Sequence, residues 1–233
     1  MAPRFVLLQS PLVGPLTWQG VAEELRSRGH AADTPAWPRL SEIEGGYYDA
    51  LADSVAEELR RLDGPLILVA HSGAGGLAGV LETRTPNVRG LILVDAIQPH
   101  PGRSWFDTAP AELAAQLRAG AVMGSLPPWD QWWPPGALEK LVPEAAVREA
   151  LIAELEPLPL AYFEEIAPLA ANEVATAYLQ LSGAYDNESQ AAARYGWPLV
   201  RLPLHHLGML THPQAVAAAL VTLSERLLEP AHG

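Results

Sequence analysis

The chain has 233 residues, enough for one α/β domain whose core needs no covalent cross-links. It contains no cysteine, which excludes disulfides, thiolate metal sites and a cysteine nucleophile. The formal net charge of −12 disfavours phosphate backbones and anionic lipid surfaces as partners. We therefore expect a globular protein that binds a small-molecule substrate, and neither nucleic acid nor a membrane.

Hydrophobic patterning predicts a soluble, cytoplasmic protein. No stretch approaches the roughly 20 apolar residues that a membrane helix requires. The apolar run Phe5–Leu8 is too short for the core of a signal peptide, and the polar residues Gln9 and Ser10 end it.

Short apolar runs alternate with helical patterns over residues 1–95. The predicted strands are Phe5–Leu8, His30–Asp33, Leu66–Ala70 and Gly90–Val94. The predicted helices between them are Leu16–Arg28, Tyr47–Leu62 and Gly73–Glu82. Strands that are apolar on both faces and separated by helices indicate a parallel sheet covered on both sides.

This alternation breaks in residues 96–175, which contain four of the seven tryptophans and two Pro-Pro pairs. Helical patterns inside this stretch predict a helical cap inserted into the sheet domain. The core would then consist of residues 1–95 and 176–233. In its second part we expect the strands Ala177–Leu181 and Leu199–Leu202, and a last helix that begins near Pro213 and ends near Leu228.

The predicted strand Leu66–Ala70 runs directly into the sequence HSGAGG at residues 71–76. Small residues on both sides of a serine are typical of a nucleophile elbow, a strained strand-to-helix turn that lifts the hydroxyl above the sheet. Ala70 and Ala74 stand where glycine is usual, and both are small enough for the turn. Ser72 is therefore the candidate nucleophile.

Two other interpretations of this glycine-rich turn stay open. One is a tightly packed connection without a chemical role, and the other is a phosphate-binding loop. The second is weaker because the lysine of the G-x-x-x-x-G-K-[ST] pattern is absent.

A serine nucleophile needs a base, and the base needs an orienting acid. His206 follows the last predicted strand, at the sheet edge where the elbow also lies, and His205 is an adjacent rival that spacing does not exclude. Asp186, after the strand Ala177–Leu181, is the candidate acid. Asp95, at the end of the preceding strand, is the alternative, although an aspartate there commonly satisfies loop amides.

These motifs resemble the α/β-hydrolase superfamily over almost the whole chain. The resemblance rests on the elbow at residues 70–76, SGAYD at 182–186, HLGML at 206–210 and the chain order serine, aspartate, histidine. It implies an α/β fold: a mostly parallel sheet of about six strands, helices on both faces and a helical cap over the nucleophile. Small esterases and hydroxynitrile lyases of the superfamily share such a short start at the first strand.

The sequence LLQSPL at residues 7–12 is similar to the family's oxyanion loop. Where the family usually provides a backbone N–H, this chain has Pro11, which has none. The resemblance assigns one oxyanion donor to Gly73 and leaves the second to Leu12, to a side chain such as Ser10, or absent.

The resemblance implies a serine hydrolase that cleaves an ester, lactone or thioester of a small apolar or aromatic metabolite. Ser72 would attack the carbonyl, His206 would take its proton, and Asp186 would orient the imidazole. Packing within the cap accounts for the tryptophans equally well, but the candidate substrate-binding residues are Trp129, Trp132, Trp133, Gln9 and His71.

Pro11 also supports a second interpretation, in which a lyase, dehydratase or cyclase uses the triad only as acid and base. A third is a ligand-binding module without activity, because a fold does not dictate a function. We expect no cofactor, since the sequence has neither an H-E-x-x-H metal motif nor a G-x-G-x-x-G dinucleotide motif. The oligomeric state is open, with a homodimer among the states allowed.

Overall fold

The computed structural model describes residues 3–170 and 173–228. Its main sheet is built from the strands β1 (Arg4–Leu8), β2 (Ala32–Asp33), β3 (Leu66–His71), β4 (Val88–Val94), β7 (Ala175–Gln180) and β8 (Leu199–Arg201). All six pair in parallel, in the order β2-β1-β3-β4-β7-β8. The α/β class and the six-stranded parallel sheet predicted from the sequence are confirmed.

Helices cover both faces of this sheet because alternate strand residues belong to two different apolar cores. Phe5 and Leu7 of β1 pack in one core, together with residues of α1 (Leu16–Ser27) and α11 (Pro213–Leu228). Val6 and Leu8 pack in the other. That second core also holds α2 (Tyr47–Leu59), α3 (Ala78–Arg84), α9 (Asp186–Arg194) and much of the segment between β4 and β7.

The segment between β4 and β7 consists of short helices and one small antiparallel pair, β5 (Ser125–Leu126) with β6 (Leu158–Pro159). Its helices are α4 (Trp105–Thr108), α5 (Ala111–Gly120), α6 (Ala137–Leu141), α7 (Ala145–Glu154) and α8 (Leu160–Glu164). We refer to it as the cap. Residues 171–172, close to the predicted boundary at residue 175, lie outside the described residues, and the division into core and cap stays a prediction.

Carboxylates of the cap contact the N-terminal ends of two sheet-covering helices. Glu154 accepts a hydrogen bond from the backbone N–H of Leu16, and Glu165 accepts from those of Tyr47 and Tyr48. The first N–H groups of a helix have no partner within the helix and favour negative charge. These contacts therefore join the cap to α1 and α2 by satisfying groups that would otherwise need water.

The glycine-rich segment after β3 begins as a 3₁₀ helix, Ser72–Leu77, before α3, whereas the sequence predicted one helix from Gly73. A Cβ on Gly75 would lie 1.9 Å from the backbone oxygen of Ile97, and one on Gly76 would lie 2.5 Å from the His100 ring. The tight approach of the chain after β4 thus requires glycine here.

No helix in the described ranges 3–170 and 173–228 is both long enough and apolar enough to cross a membrane.

Replacing Gly75 with alanine should destabilise the fold, because the new Cβ meets backbone rather than a movable side chain. Overpacking of this kind costs about 1–3 kcal/mol. Chemical denaturation should show a lower free energy of unfolding for Gly75→Ala. Gly120→Ala is the matched control, since nothing lies within 4 Å of its added Cβ. An unfolding curve of Gly75→Ala that matched the control would contradict the proposed packing.

Candidate active site

Ser72 is the first residue after β3 and has a backbone φ of +55°. Among the described non-glycine residues only Ser72, Asp95 and Met123 have a positive φ. Such a conformation is costly for a residue with a Cβ and persists where the surrounding structure enforces it. The strained turn expected of a nucleophile elbow is therefore present at Ser72.

Asp95, the residue directly after β4, is paired with His206. Its Oδ2 lies 3.3 Å from Nδ1 of His206, and its φ is +40°. The Asp95 side chain is fully buried, whereas 18% of the His206 side chain is exposed. The imidazole is therefore hydrogen-bonded to a buried carboxylate on one side and partly exposed to solvent. This is the arrangement in which an acid orients a base.

The sequence prediction that Asp186 orients His206 needs correction. Asp186 begins α9, is exposed, and accepts a hydrogen bond of 2.5 Å from the amide of Gln180. Because the 3₁₀ turn Gly183–Tyr185 precedes Asp186, the residue of this loop that contacts the His206 ring is Tyr185 and not Asp186. At a helix N-terminus an aspartate is stabilised by the helix dipole, which accounts for its presence.

Four donors converge on the Asp95 carboxylate. Besides His206, these are the N–H of Leu181 at 2.6 Å, the N–H of Ser182 at 3.1 Å and the Ser182 hydroxyl at 2.5 Å. Burial alone would raise the pKa of this carboxyl, but the hydrogen bonds from His206, Ser182 and Leu181 outweigh burial and hold the pKa below its ordinary value. Asp95 is thus an anion held ready beside the imidazole.

Tyr185 contacts both Ser72 and His206. Its hydroxyl lies 3.3 Å from Ser72 Oγ, and its ring stacks on the imidazole of His206 with centroids 5.0 Å apart and planes inclined by 11°. Burial raises the pKa of the phenol, so the hydroxyl keeps its proton. Sequence reasoning missed this residue. An aromatic side chain beside the candidate acid, in the loop after β7, was the one signal available.

The other two histidines considered from the sequence have hydrogen-bond partners within the protein. His71 is fully buried, its Nε2 lies 3.0 Å from the backbone oxygen of His206, and its ring lies 4.6 Å from that of His206. Burial and the neighbouring His206 lower the pKa of His71 to about 3, so it stays neutral. The prediction that His71 binds substrate is therefore wrong, and it supports the His206 loop instead. His205 pairs with Thr211 at 2.9 Å, which removes it as the rival base.

The three cap tryptophans occupy different environments. Trp129 is buried, with its ring centroid 6.4 Å from that of His206. Trp133 stacks edge-on against Trp129 and is 43% exposed. Trp132 packs against Phe163 and donates its indole N–H to Pro127. Trp129 and Trp133 stay candidates for substrate contact, whereas Trp132 belongs to the packing of the cap.

The loop after β1 lies against the elbow. A Cβ built on Gly73 would be 3.3 Å from Ser10 Oγ, 3.6 Å from Pro11 Cδ and 3.9 Å from Leu12 Cδ1. The N–H of Leu12, one predicted oxyanion donor, donates to Ser10 Oγ at 3.3 Å. It is thus engaged within its own loop, while the role of Gly73 stays a prediction.

Gln9 is almost completely buried and lines a cavity of about 310 Å³ that also reaches Pro11 and Leu12. Its contact with substrate stays a prediction. The cavity is lined by residues of the loop after β1 and of the cap, and neither Ser72 nor His206 is among its lining residues.

Comparison with known proteins places this geometry in a family. A model of the α/β hydrolase family matches residues 10–219. A carbendazim hydrolyzing esterase of Nocardioides sp. (strain SG-4G) is 26% identical over 242 residues, which cover 94% of this chain and 98% of the esterase.

Solved structures share the fold. An extracellular α/β-hydrolase from a Paenibacillus species superposes with a TM-score of 0.76 at 22% identity, covering 95% of this chain and 99% of that chain. A pyrethroid hydrolase from Sphingobium faniae JZ-2 superposes with a TM-score of 0.73 at 19% identity, covering the whole of both chains. Because the family model extends from the loop after β1 into α11, the chain belongs to the α/β hydrolase family.

Proposed function

We propose that this protein is a carboxylic ester hydrolase in which Ser72 is the nucleophile, His206 the base and Asp95 the acid. The observation that carries the proposal is the contact of Asp95 with His206 beside a serine in a strained turn. The names of the relatives, a carbendazim hydrolyzing esterase and a pyrethroid hydrolase, support the same reaction class.

The reaction proceeds in two steps. Ser72 Oγ bonds to the substrate carbonyl carbon while its proton passes to Nε2 of His206, and the carbonyl π pair moves to oxygen. When the tetrahedral centre collapses, His206 returns the proton to the leaving alcohol and Ser72 keeps the acyl group. Water, activated by His206 in the same way, then releases the acid.

Asp95 and Tyr185 prepare His206 for this proton transfer. The carboxylate holds Nδ1–H, so the opposite ring nitrogen carries the free lone pair and the imidazolium is stabilised when it forms. The stacked ring of Tyr185 limits rotation of the imidazole, and its hydroxyl hydrogen-bonds to Ser72 Oγ before substrate arrives. Tyr185 thus positions both partners of the transfer.

The substrate is expected to be a small ester, lactone or thioester with an apolar or aromatic group. Trp129, whose ring centroid lies 6.4 Å from that of His206, is the aromatic side chain of the cap that we expect to contact this group. Trp133 packs edge-on against Trp129 and is more exposed to solvent.

Ser72→Ala should abolish hydrolysis of a panel of p-nitrophenyl and aryl esters, with kcat/KM lower by at least about 10³-fold. A fluorophosphonate should label the parent protein at Ser72 and leave the variant unlabelled, as read by intact mass. Turnover of a substrate without any acyl-enzyme mass shift, or turnover unchanged in Ser72→Ala, would favour lyase or cyclase chemistry over hydrolysis.

Asp95→Asn should lower kcat by about 10³–10⁴-fold, because the amide no longer stabilises the imidazolium or selects its tautomer. Asparagine tolerates positive φ, so the backbone at residue 95 should keep its conformation. Asp186→Asn is the matched control and should keep kcat/KM within about threefold of the parent. Steady-state kinetics with circular dichroism for folding would decide, and the reverse ranking of the two variants would refute the assignment.

Tyr185→Phe should lower kcat/KM by roughly fivefold, since it removes one hydrogen bond to Ser72 but keeps the stacked ring. Tyr185→Ala removes the ring as well and should cost about a further tenfold, because the imidazole gains rotational freedom. Kinetics of the two variants would separate the hydroxyl from the ring. Parent-like activity in both would show that Tyr185 has no positioning role.

A further inference from the structure

We propose that the side-chain hydroxyl of Ser10 is the second oxyanion donor of this site, acting together with the N–H of Gly73. This inference rests on the proposed hydrolysis at Ser72. In this proposal a side-chain hydroxyl of the loop after β1, rather than a backbone N–H of that loop, stabilises the oxyanion of the tetrahedral intermediate.

The neighbours of Gly73 define where a second donor can come from. The three heavy atoms nearest to a Cβ built on Gly73, apart from its chain neighbours, are Ser10 Oγ at 3.3 Å, Pro11 Cδ at 3.6 Å and Leu12 Cδ1 at 3.9 Å. An oxyanion on the carbon attached to Ser72 Oγ, held by the next N–H along the chain, would lie on this side of the elbow. We therefore expect the second donor to belong to this loop.

Two of the three neighbours cannot serve. Pro11 has no N–H, and its ring carbon Cδ occupies the direction in which an N–H would point. Leu12 presents an apolar carbon toward Gly73, and its own N–H donates to Ser10 Oγ at 3.3 Å. Of these three residues, only Ser10 brings a polar side-chain atom to this position.

The state of the Ser10 hydroxyl fits a donor. A serine hydroxyl has one proton to donate and two lone pairs. One lone pair accepts from Leu12 N–H, and in the part of the chain that the structure describes no acceptor is assigned to the proton. Ser10 is only 1% exposed, so the hydroxyl is largely removed from water. A fixed donor in a dry site stabilises developing negative charge far more than the same donor in water.

The step balances without any proton leaving Ser10. As the Ser72 Oγ–carbon bond forms, the carbonyl π pair moves onto oxygen, and the N–H of Gly73 and the O–H of Ser10 hydrogen-bond to that oxygen. When the intermediate collapses, the pair returns, the bond to the leaving oxygen breaks, and His206 protonates the leaving group.

The test combines a loss with a rescue. Ser10→Ala should lower kcat by about 10²-fold with little change in KM, the effect of removing one oxyanion donor. Pro11→Ala removes Cδ and places a backbone N–H in the direction that Cδ takes toward Gly73. The double variant Ser10→Ala/Pro11→Ala should therefore recover at least about tenfold of the lost kcat. Loss caused by disturbed packing alone would persist or worsen in the double variant.

A tetrahedral mimic tests the same donor without turnover. An arylboronic acid that bonds to Ser72 should bind Ser10→Ala at least about tenfold more weakly than the parent, and the double variant should regain affinity. Equal boronate affinity and equal kcat in Ser10→Ala and the parent would overturn the Ser10 proposal while leaving hydrolysis intact. Failure of the parent both to turn over esters and to bind the boronate would overturn the proposed function itself, and the Ser10 role with it.

Discussion

The buried carboxylate of Asp95 is the group on which the site and much of its surrounding structure depend. It accepts hydrogen bonds from two backbone N–H groups and one hydroxyl of the loop after β7, and from His206 in the loop after β8. An unpaired charge at this depth would cost several kcal/mol. Folding must therefore bring both loops to the end of β4. The hydrogen bonds that stabilise the Asp95 carboxylate also keep it ionised, so it can act as the charged partner of the imidazole.

The parallel sheet explains why these groups meet. In a parallel sheet the carboxyl ends of all strands lie on one edge, and loops that follow neighbouring strands converge there. Ser72 follows β3, Asp95 follows β4, Tyr185 follows β7 and His206 follows β8. Ser72 and Asp95 both have a positive φ, so the direction of each side chain depends on an uncommon backbone conformation. The fully buried His71 supports the His206 loop through its contact with the backbone oxygen of His206.

The loop after β1 packs against Gly73 of the elbow, and the side chains that it brings differ in kind from those that surround His206. Tyr185 and Asp95 restrain the imidazole by stacking and charge, whereas Ser10, Pro11 and Leu12 pack against Gly73 through a hydroxyl and two apolar groups. The cap is joined to α1 and α2 by Glu154 and Glu165 and brings Trp129 toward His206. In the proposed mechanism, proton transfer and charge stabilisation therefore belong to different loops.

The sequence by itself predicted the sheet correctly, because apolar runs such as Leu66–Ala70 between helical patterns indicate a covered parallel sheet. It also identified Ser72 and His206 as candidates for the nucleophile and the base, since the small-residue turn and the loop after the last strand carry local signals. Only the tertiary structure decided between Asp95 and Asp186, because both follow strands and the choice depends on a 3₁₀ turn that inserts Tyr185 against the imidazole. The burial of His71, the place of each tryptophan and the approach of Ser10 to Gly73 were likewise decided by packing between segments far apart in the chain, which no local pattern encodes.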